Sequence, residues 1–115
     1  METIIWHNPR CSKSRQTLAF LEARGVIPRV VKYLDDPPSR EELAFVIEKL
    51  GIEPRALMRR NEDVYKSMNL DSIHDRELLL KAMLEHPRLI ERPVVIRGDR
   101  VALGRPPENV LGVLD

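Results

Sequence analysis

A single cysteine stands in the stretch His7-Asn8-Pro9-Arg10-Cys11-Ser12-Lys13-Ser14-Arg15. With no second cysteine it closes no internal disulfide, and the Cys-x-x-Cys position is taken by Ser14. A free thiol has a pKa near ~8.5, so only a few per cent is thiolate at neutral pH. His7, Arg10, Lys13 and Arg15 are candidate cations beside it. A depression of about two pKa units corresponds to ~2.7 kcal/mol in favour of the thiolate and leaves most of the thiol ionised. A lone cysteine in a small domain is most often a buried, inert packing group. Charged and polar residues on both sides, in a loop ahead of a helix, suit packing poorly and suit a nucleophile well. The hydroxyls of Ser12 and Ser14, with the first N–H groups of the helix, can hold a thiolate or an oxyanion. His7 ends a strand and reads equally as a structural hydrogen-bonding group or a thiol-tuning one.

Other cysteine chemistries fit less well. The phosphate cradle of a low-molecular-weight cysteine phosphatase needs a wider Cys-to-Arg spacing than the three residues between Cys11 and Arg15. One cysteine and three dispersed histidines (His7, His74, His86) lack zinc-ligand spacing, so no metal is expected.

The elements that must position Cys11 follow from pattern. Thr3 to Trp6 is a short β-rich run, read as a buried strand. A helix follows the loop, with Ser12 or Ser14 as its cap, Leu18 and Leu21 on its apolar face and Gly25 at its end. Val30, Val31 and Tyr33 mark a second strand. After Asp36-Pro37-Pro38, Ser39 and Glu42 form a capping box for a helix whose Leu43, Val46, Ile47 and Leu50 share one face and which Gly51 ends. Residues 54–70 read as short helical turns. Asp75 to Glu85 reads as a helix offering Leu79, Leu80, Met83 and Leu84 for burial. Val94–Ile96 and Val101–Leu103 flank Gly98-Asp99 as a hairpin. Pro106-Pro107 opens a last helix with Val110, Leu111 and Leu114. The order is β-α-β, helices, then β-β-α. This predicts a thioredoxin-like α/β fold, a mixed central sheet with helices around it, in one domain over residues 1–115. The Cys11 loop falls at the first strand-to-helix junction, where a helix N-terminus favours anions and thiolates.

Bulk composition narrows the setting. A net charge of +1, from 19 basic and 18 acidic residues, gives no global case for nucleic-acid or membrane binding. One cysteine fits a reducing, cytoplasmic compartment. The N-terminus has no basic and apolar signal pattern, and no apolar run approaches the ~18 residues of a membrane span.

The Cys11 loop resembles the active-site loop of the glutaredoxin-coupled arsenate reductase family. Tyr33-Leu34, Pro37-Pro38-Ser39-Arg40, Arg55-Ala56-Leu57-Met58-Arg59-Arg60, Arg92-Pro93-Val94-Val95 and Gly104-Arg105-Pro106 look like family segments in family order. The resemblance implies that Cys11 attacks arsenate and that Arg59, Arg92 and Arg105 bind the anion. In the Arg59/Arg60 doublet, Arg59 is preferred because it follows Leu57-Met58. His7, Asn8, Ser12, Ser14 and Arg15 are then substrate-binding or thiol-tuning groups. No bound cofactor is implied; glutathione is a co-substrate and glutaredoxin the partner that resolves a Cys11–glutathione disulfide. Arg10 and Ser12-Lys13 depart from the Ala and Gly-Thr of plasmid-type members, and the end at Asp115 matches a shorter, chromosomal type. Arsenate, another small oxyanion or a mixed disulfide therefore stand as substrates. Two other activities stay open: a redox-responsive, protein-binding regulator of transcription, and a glutathione-dependent thiol oxidoreductase with no arsenic role. Ser14 in place of a second cysteine, and the three retained arginines, favour the reductase.

Overall fold

The computed structural model describes residues 1–114 and divides into two compact units. The first comprises Met1–Asp36 and the chain from Arg92 onward; the second is Pro37–Glu91.

In the first unit, β1 (Thr3–Trp6) leads through the Cys11 loop into α1 (Ser12–Ala23), and β2 (Arg29–Val31) returns parallel to β1. Two strands from the far end of the chain complete the sheet: β3 (Val94–Arg97), antiparallel to β1, and β4 (Arg100–Leu103), antiparallel to β3. The strand order is β2-β1-β3-β4, a mixed four-stranded sheet. This is the β-α-β plus β-β-α arrangement that the sequence predicts.

Ile5 of β1 pairs with Val95 of β3, so both side chains fall on one face. Leu21 of α1 and Val110 and Val113 near the C-terminus close over them, and all five residues are buried. Full burial of such a side chain contributes roughly 1.5–3 kcal/mol, enough to hold α1 against the sheet.

The second unit is helical. Its α2 (Arg40–Leu50) begins at the predicted capping box: Ser39 Oγ accepts the Glu42 N–H at 3.1 Å, and the Ser39 N–H donates to Glu42 Oε1 at 2.8 Å. Gly51 ends it in the left-handed region at φ 67°, where a side chain is strained. A 3-10 turn (Pro54–Leu57), α3 (Asp63–Ser67) and a second 3-10 turn (Leu70–Ser72) match the short turns expected there. Next comes α4 (Arg76–Glu85), capped by Asp75, whose Oδ1 accepts the Glu77 and Leu78 N–H groups. The faces of α2 (Leu43, Val46, Ile47) and α4 (Leu79, Leu80, Met83) are buried.

Arg55 ties these turns together. Its guanidinium donates to Tyr65 Oη at 2.7 Å, to the Leu70 carbonyl at 2.8 Å and to the Ile73 carbonyl. Such charge-assisted bonds to partly buried acceptors order a segment with little regular structure of its own.

Four expectations need correction. Neither Ser12 nor Ser14 caps α1; Cys11 itself is the N-cap residue and no side chain caps that end. Ser14 cannot cap because it is wholly buried, with its oxygen turned to the end of β1. Tyr33 lies beyond β2, which stops at Val31. The last helix starts as a 3-10 turn (Pro107–Val110) and becomes α5 (Leu111–Leu114); that shift buries Val113 and leaves Leu111 41% exposed. Leu50 and Leu84 are only half-buried, since each lies at the last turn of its helix. Among the described residues no helix is long and apolar enough to cross a membrane.

Candidate active site

Cys11 is half-exposed at the start of α1, and a chain of local bonds sets its position. Its N–H donates to the Asn8 carbonyl at 3.0 Å, closing a tight turn. The Arg10 N–H donates to Asn8 Oδ1 at 3.0 Å. The Cys11 carbonyl then accepts the Arg15 N–H at 3.0 Å, the first bond of the helix. The earlier N–H groups of the first turn have no helical acceptor. Two of them, on Lys13 and Ser14, are aimed at the Cys11 sulfur.

Burial pushes the Cys11 thiol up, but other groups outweigh it. The Ser14 N–H, the Arg92 side chain, which hydrogen-bonds the sulfur, and the Lys13 N–H favour the thiolate, so the thiol titrates below its ordinary value. Arg105 completes the cluster, with Nη2 at 3.7 Å from the sulfur.

Ser14 has two tasks. Its backbone faces the sulfur while its hydroxyl is bonded to His7 Nδ1 at 2.6 Å and accepts the Asn8 N–H at 3.0 Å. This bolts the first turn of α1 to the end of β1. His7 is itself held through its N–H, which donates to the Val31 carbonyl at 2.8 Å. Burial, then Lys32 and Arg15, lower the pKa of His7 and favour its neutral form. The cationic neighbours of the sulfur are therefore the distant arginines rather than His7. Of the other candidates, Arg15 reaches back to the Pro9 carbonyl at 2.9 Å, bracing the loop. Ser12 and Arg10 are exposed.

Arg92 and Arg105 flank the β3–β4 hairpin, which the sequence places far from Cys11. Arg92 precedes β3 and Arg105 follows β4, and both are followed by cis proline bonds. Arg105 Nε donates to the Arg92 carbonyl at 2.7 Å, and the Arg105 carbonyl accepts from Asn109 Nδ2 at 3.0 Å. Arg59 belongs to the second unit, where it is paired with Glu62 at 3.5 Å and Glu91 at 3.1 Å. Its neighbour Arg60 is exposed.

Three supporting residues have roles that the motifs do not assign. Tyr33 is fully buried and interacts electrostatically with Arg92. Thr17, also fully buried, shares its hydroxyl between the Lys13 carbonyl at 2.9 Å and the Gly104 carbonyl at 3.2 Å. Gly104 lets α1 and Pro93 close in; a Cβ there would lie 2.7 Å from Pro93 Cγ and 2.8 Å from Thr17 Cγ2, besides touching Thr17 Oγ1. Gly104→Ala is accordingly expected to cost about 1–3 kcal/mol in denaturant unfolding, as overpacking against two rigid neighbours does. An unchanged midpoint would show that α1 and the β4 loop can part freely. Only Gly104-Arg105-Pro106 as a motif hinted at this; periodicity carries no trace of it.

The cluster is suited to a small oxyanion. A thiolate approaching an anion is repelled, and two guanidinium groups with first-turn N–H groups offset that repulsion while offering paired donors.

The chain is 50% identical over 116 residues to the arsenate reductase of Haemophilus influenzae, covering 99% of this chain and 100% of that one. It is 44% identical to an arsenate reductase of Escherichia coli, over 96% of this chain and 79% of the relative. The solved arsenate reductase of Vibrio cholerae superposes with a TM-score of 0.95 at 51% identity, covering 99% of this chain and 98% of that structure. A family model matches residues 6–113, nearly the whole span that builds the sheet and the cysteine loop, and the chain belongs to the ArsC family.

Proposed function

We propose that this protein is an arsenate reductase that borrows its reducing thiols. The observation that carries the reading is the Cys11 sulfur, acidified at the N-terminus of α1 and flanked by Arg92 and Arg105. The Cys11 thiolate attacks arsenate and displaces water or hydroxide, forming a sulfur–arsenic bond. A glutathione thiolate attacks the adduct. The electron pair of the sulfur–arsenic bond stays on arsenic, which falls from the pentavalent to the trivalent state and leaves as arsenite. Cys11 remains as a mixed disulfide with glutathione, and a glutaredoxin thiol takes up the glutathionyl group and returns the Cys11 thiolate. No bound cofactor enters the cycle, and the setting is a reducing, cytoplasmic one.

On the family resemblance Arg59 is an oxyanion ligand as well. The regulator reading loses ground at position 14, where the buried serine hydroxyl is committed to His7 and supplies no second thiol.

A coupled assay containing arsenate, glutathione, glutaredoxin, glutathione reductase and NADPH tests the proposal. NADPH oxidation should require all of them. Arsenate reduction with thioredoxin alone, without glutathione or glutaredoxin, would overturn the scheme.

A further inference from the structure

We infer that Thr17 is a positioning residue for Arg105: its buried hydroxyl ties α1, which carries Cys11, to the Gly104 carbonyl and so sets the reach of the Arg105 guanidinium to the sulfur. The inference rests on Cys11 being the nucleophile, and it concerns a side chain that acts through another.

Thr17 lies in the second turn of α1 with no exposed surface. A buried hydroxyl costs stability unless it is hydrogen-bonded. Thr17 Oγ1 is 2.9 Å from the Lys13 carbonyl, one turn back in its own helix, and 3.2 Å from the Gly104 carbonyl, 87 residues away in sequence. One hydroxyl proton serves both acceptors. The bond to Lys13 is the local one that a threonine inside a helix commonly makes. The bond to Gly104 is not local: it joins the helix whose N-cap residue is Cys11 to the residue that precedes Arg105. The Gly104 peptide is held from its other side as well, since its N–H donates to the Pro93 carbonyl at 3.0 Å. Packing tightens the same junction, because a Cβ on Gly104 would lie 2.8 Å from Thr17 Cγ2 and 2.7 Å from Pro93 Cγ. Arg105 therefore starts from a defined point. From there its Nε donates to the Arg92 carbonyl at 2.7 Å and its Nη2 lies 3.7 Å from the Cys11 sulfur. At that separation the attraction depends on both distance and direction. A loosened Gly104 peptide would lengthen the contact and add the entropy cost of ordering a long side chain each time it formed.

The other charged groups around the cysteine are Arg10, next to it in sequence, Lys13 and Arg15 on α1, and Arg92 before β3. His7 stands at the end of β1, bonded to Ser14. Thr17 bears on this set in two ways: through the link from Gly104 to Arg105, and through its bond to the Lys13 carbonyl in the first turn of the helix. Only the first needs the Arg105 side chain, and that defines its test.

The experiment is the pH dependence of Cys11 alkylation by iodoacetamide in the wild type, Thr17→Val, Thr17→Ser, Arg105→Ala and the double variant Thr17→Val with Arg105→Ala. It needs no arsenate, so it stands whichever substrate the protein reduces. Valine keeps the branched shape and removes the hydroxyl; serine keeps the hydroxyl. Thr17→Val is expected to raise the alkylation midpoint by about half a pH unit, seen below the midpoint as a roughly threefold slower reaction. Thr17→Ser should stay at the wild-type midpoint. Arg105→Ala should raise the midpoint at least as far as Thr17→Val, and adding Thr17→Val to it should raise it no further. An unchanged or lowered midpoint in Thr17→Val overturns the inference. So does a serine variant shifted as far as the valine one, or an equal valine shift with and without the Arg105 side chain. Should Thr17→Val fold too poorly to titrate, Thr17→Ala removes the same oxygen without placing a second methyl against the Gly104 carbonyl. Its midpoint should rise in the same way, and a wild-type midpoint there overturns the inference.

Discussion

Cys11→Ser is expected to lower arsenate turnover by roughly a thousandfold or more in the glutathione and glutaredoxin assay. The serine hydroxyl is nearly isosteric but stays protonated at neutral pH, so the donors gathered around position 11 have no anion to stabilise. The Lys13 and Ser14 N–H groups, Arg92 and Arg105 converge on the sulfur. Their value depends on that atom carrying charge. The variant should keep its fold, because Cys11 is half-exposed and contributes no side-chain cap to α1. Circular dichroism and a denaturant titration establish that the loss is chemical. The glutathionylated form of the protein should also be undetectable by mass spectrometry in Cys11→Ser. Retained turnover would show that another group attacks arsenate.

Removing Arg92 comes next in expected size. Arg92→Ala should reduce kcat/KM for arsenate by about a hundred- to a thousandfold, the range seen when one charge-stabilising donor is taken from an active site. Two losses combine. The oxyanion loses one of its guanidinium forks, and the thiolate loses the side chain that hydrogen-bonds it. The second loss has a direction in pH. In the folded protein Cys11 titrates below its ordinary value, so its interactions add stability above the ordinary thiol pKa. That stability fades as pH falls through the lowered folded value. Without Arg92 the folded value rises toward the ordinary one. The acidic limb of the rate profile should therefore move to higher pH, and less of the wild-type stability should depend on thiol ionisation. Arg92→Lys keeps the charge and should recover part of the pH shift but little of the oxyanion affinity, because an ammonium offers no paired donors. A profile unmoved by Arg92→Ala would assign thiol activation to the helix N-terminus and Arg105.

Much of the fold is legible along the chain. The capping box Ser39/Glu42, the left-handed Gly51, the Asp75 cap and the hairpin at Gly98-Asp99 are local devices, and each forms where its residues stand. Local signals failed where two segments distant in sequence share a residue. Ser14 looked like a cap because serine favours that position, yet it is buried in contact with His7. Tyr33 looked like a strand residue because it is aromatic, yet it lies beyond β2 and meets Arg92. Leu111 and Val113 compete for the same core, and the 3-10 start of the last segment decides for Val113.

His7 shows the limit most directly. As a residue type at the end of a strand it reads as a cation or as a hydrogen-bonding anchor. Burial disfavours its charged form, and Ser14 accounts for its ring nitrogen, so the anchor role is the one its surroundings supply.

The cysteine, its solitude and its place ahead of a helix were determined by the sequence alone, because a strand-to-helix junction and the N–H groups of a first turn are set within about a dozen residues. The convergence of Arg92 and Arg105 on Cys11 was decided by tertiary structure. It needs β3 to pair with β1 across some ninety residues of chain, and Gly104 to admit Thr17 and Pro93. Residue types announce which groups can stabilise a thiolate; only packing and strand pairing determine which of them arrive within reach of the sulfur.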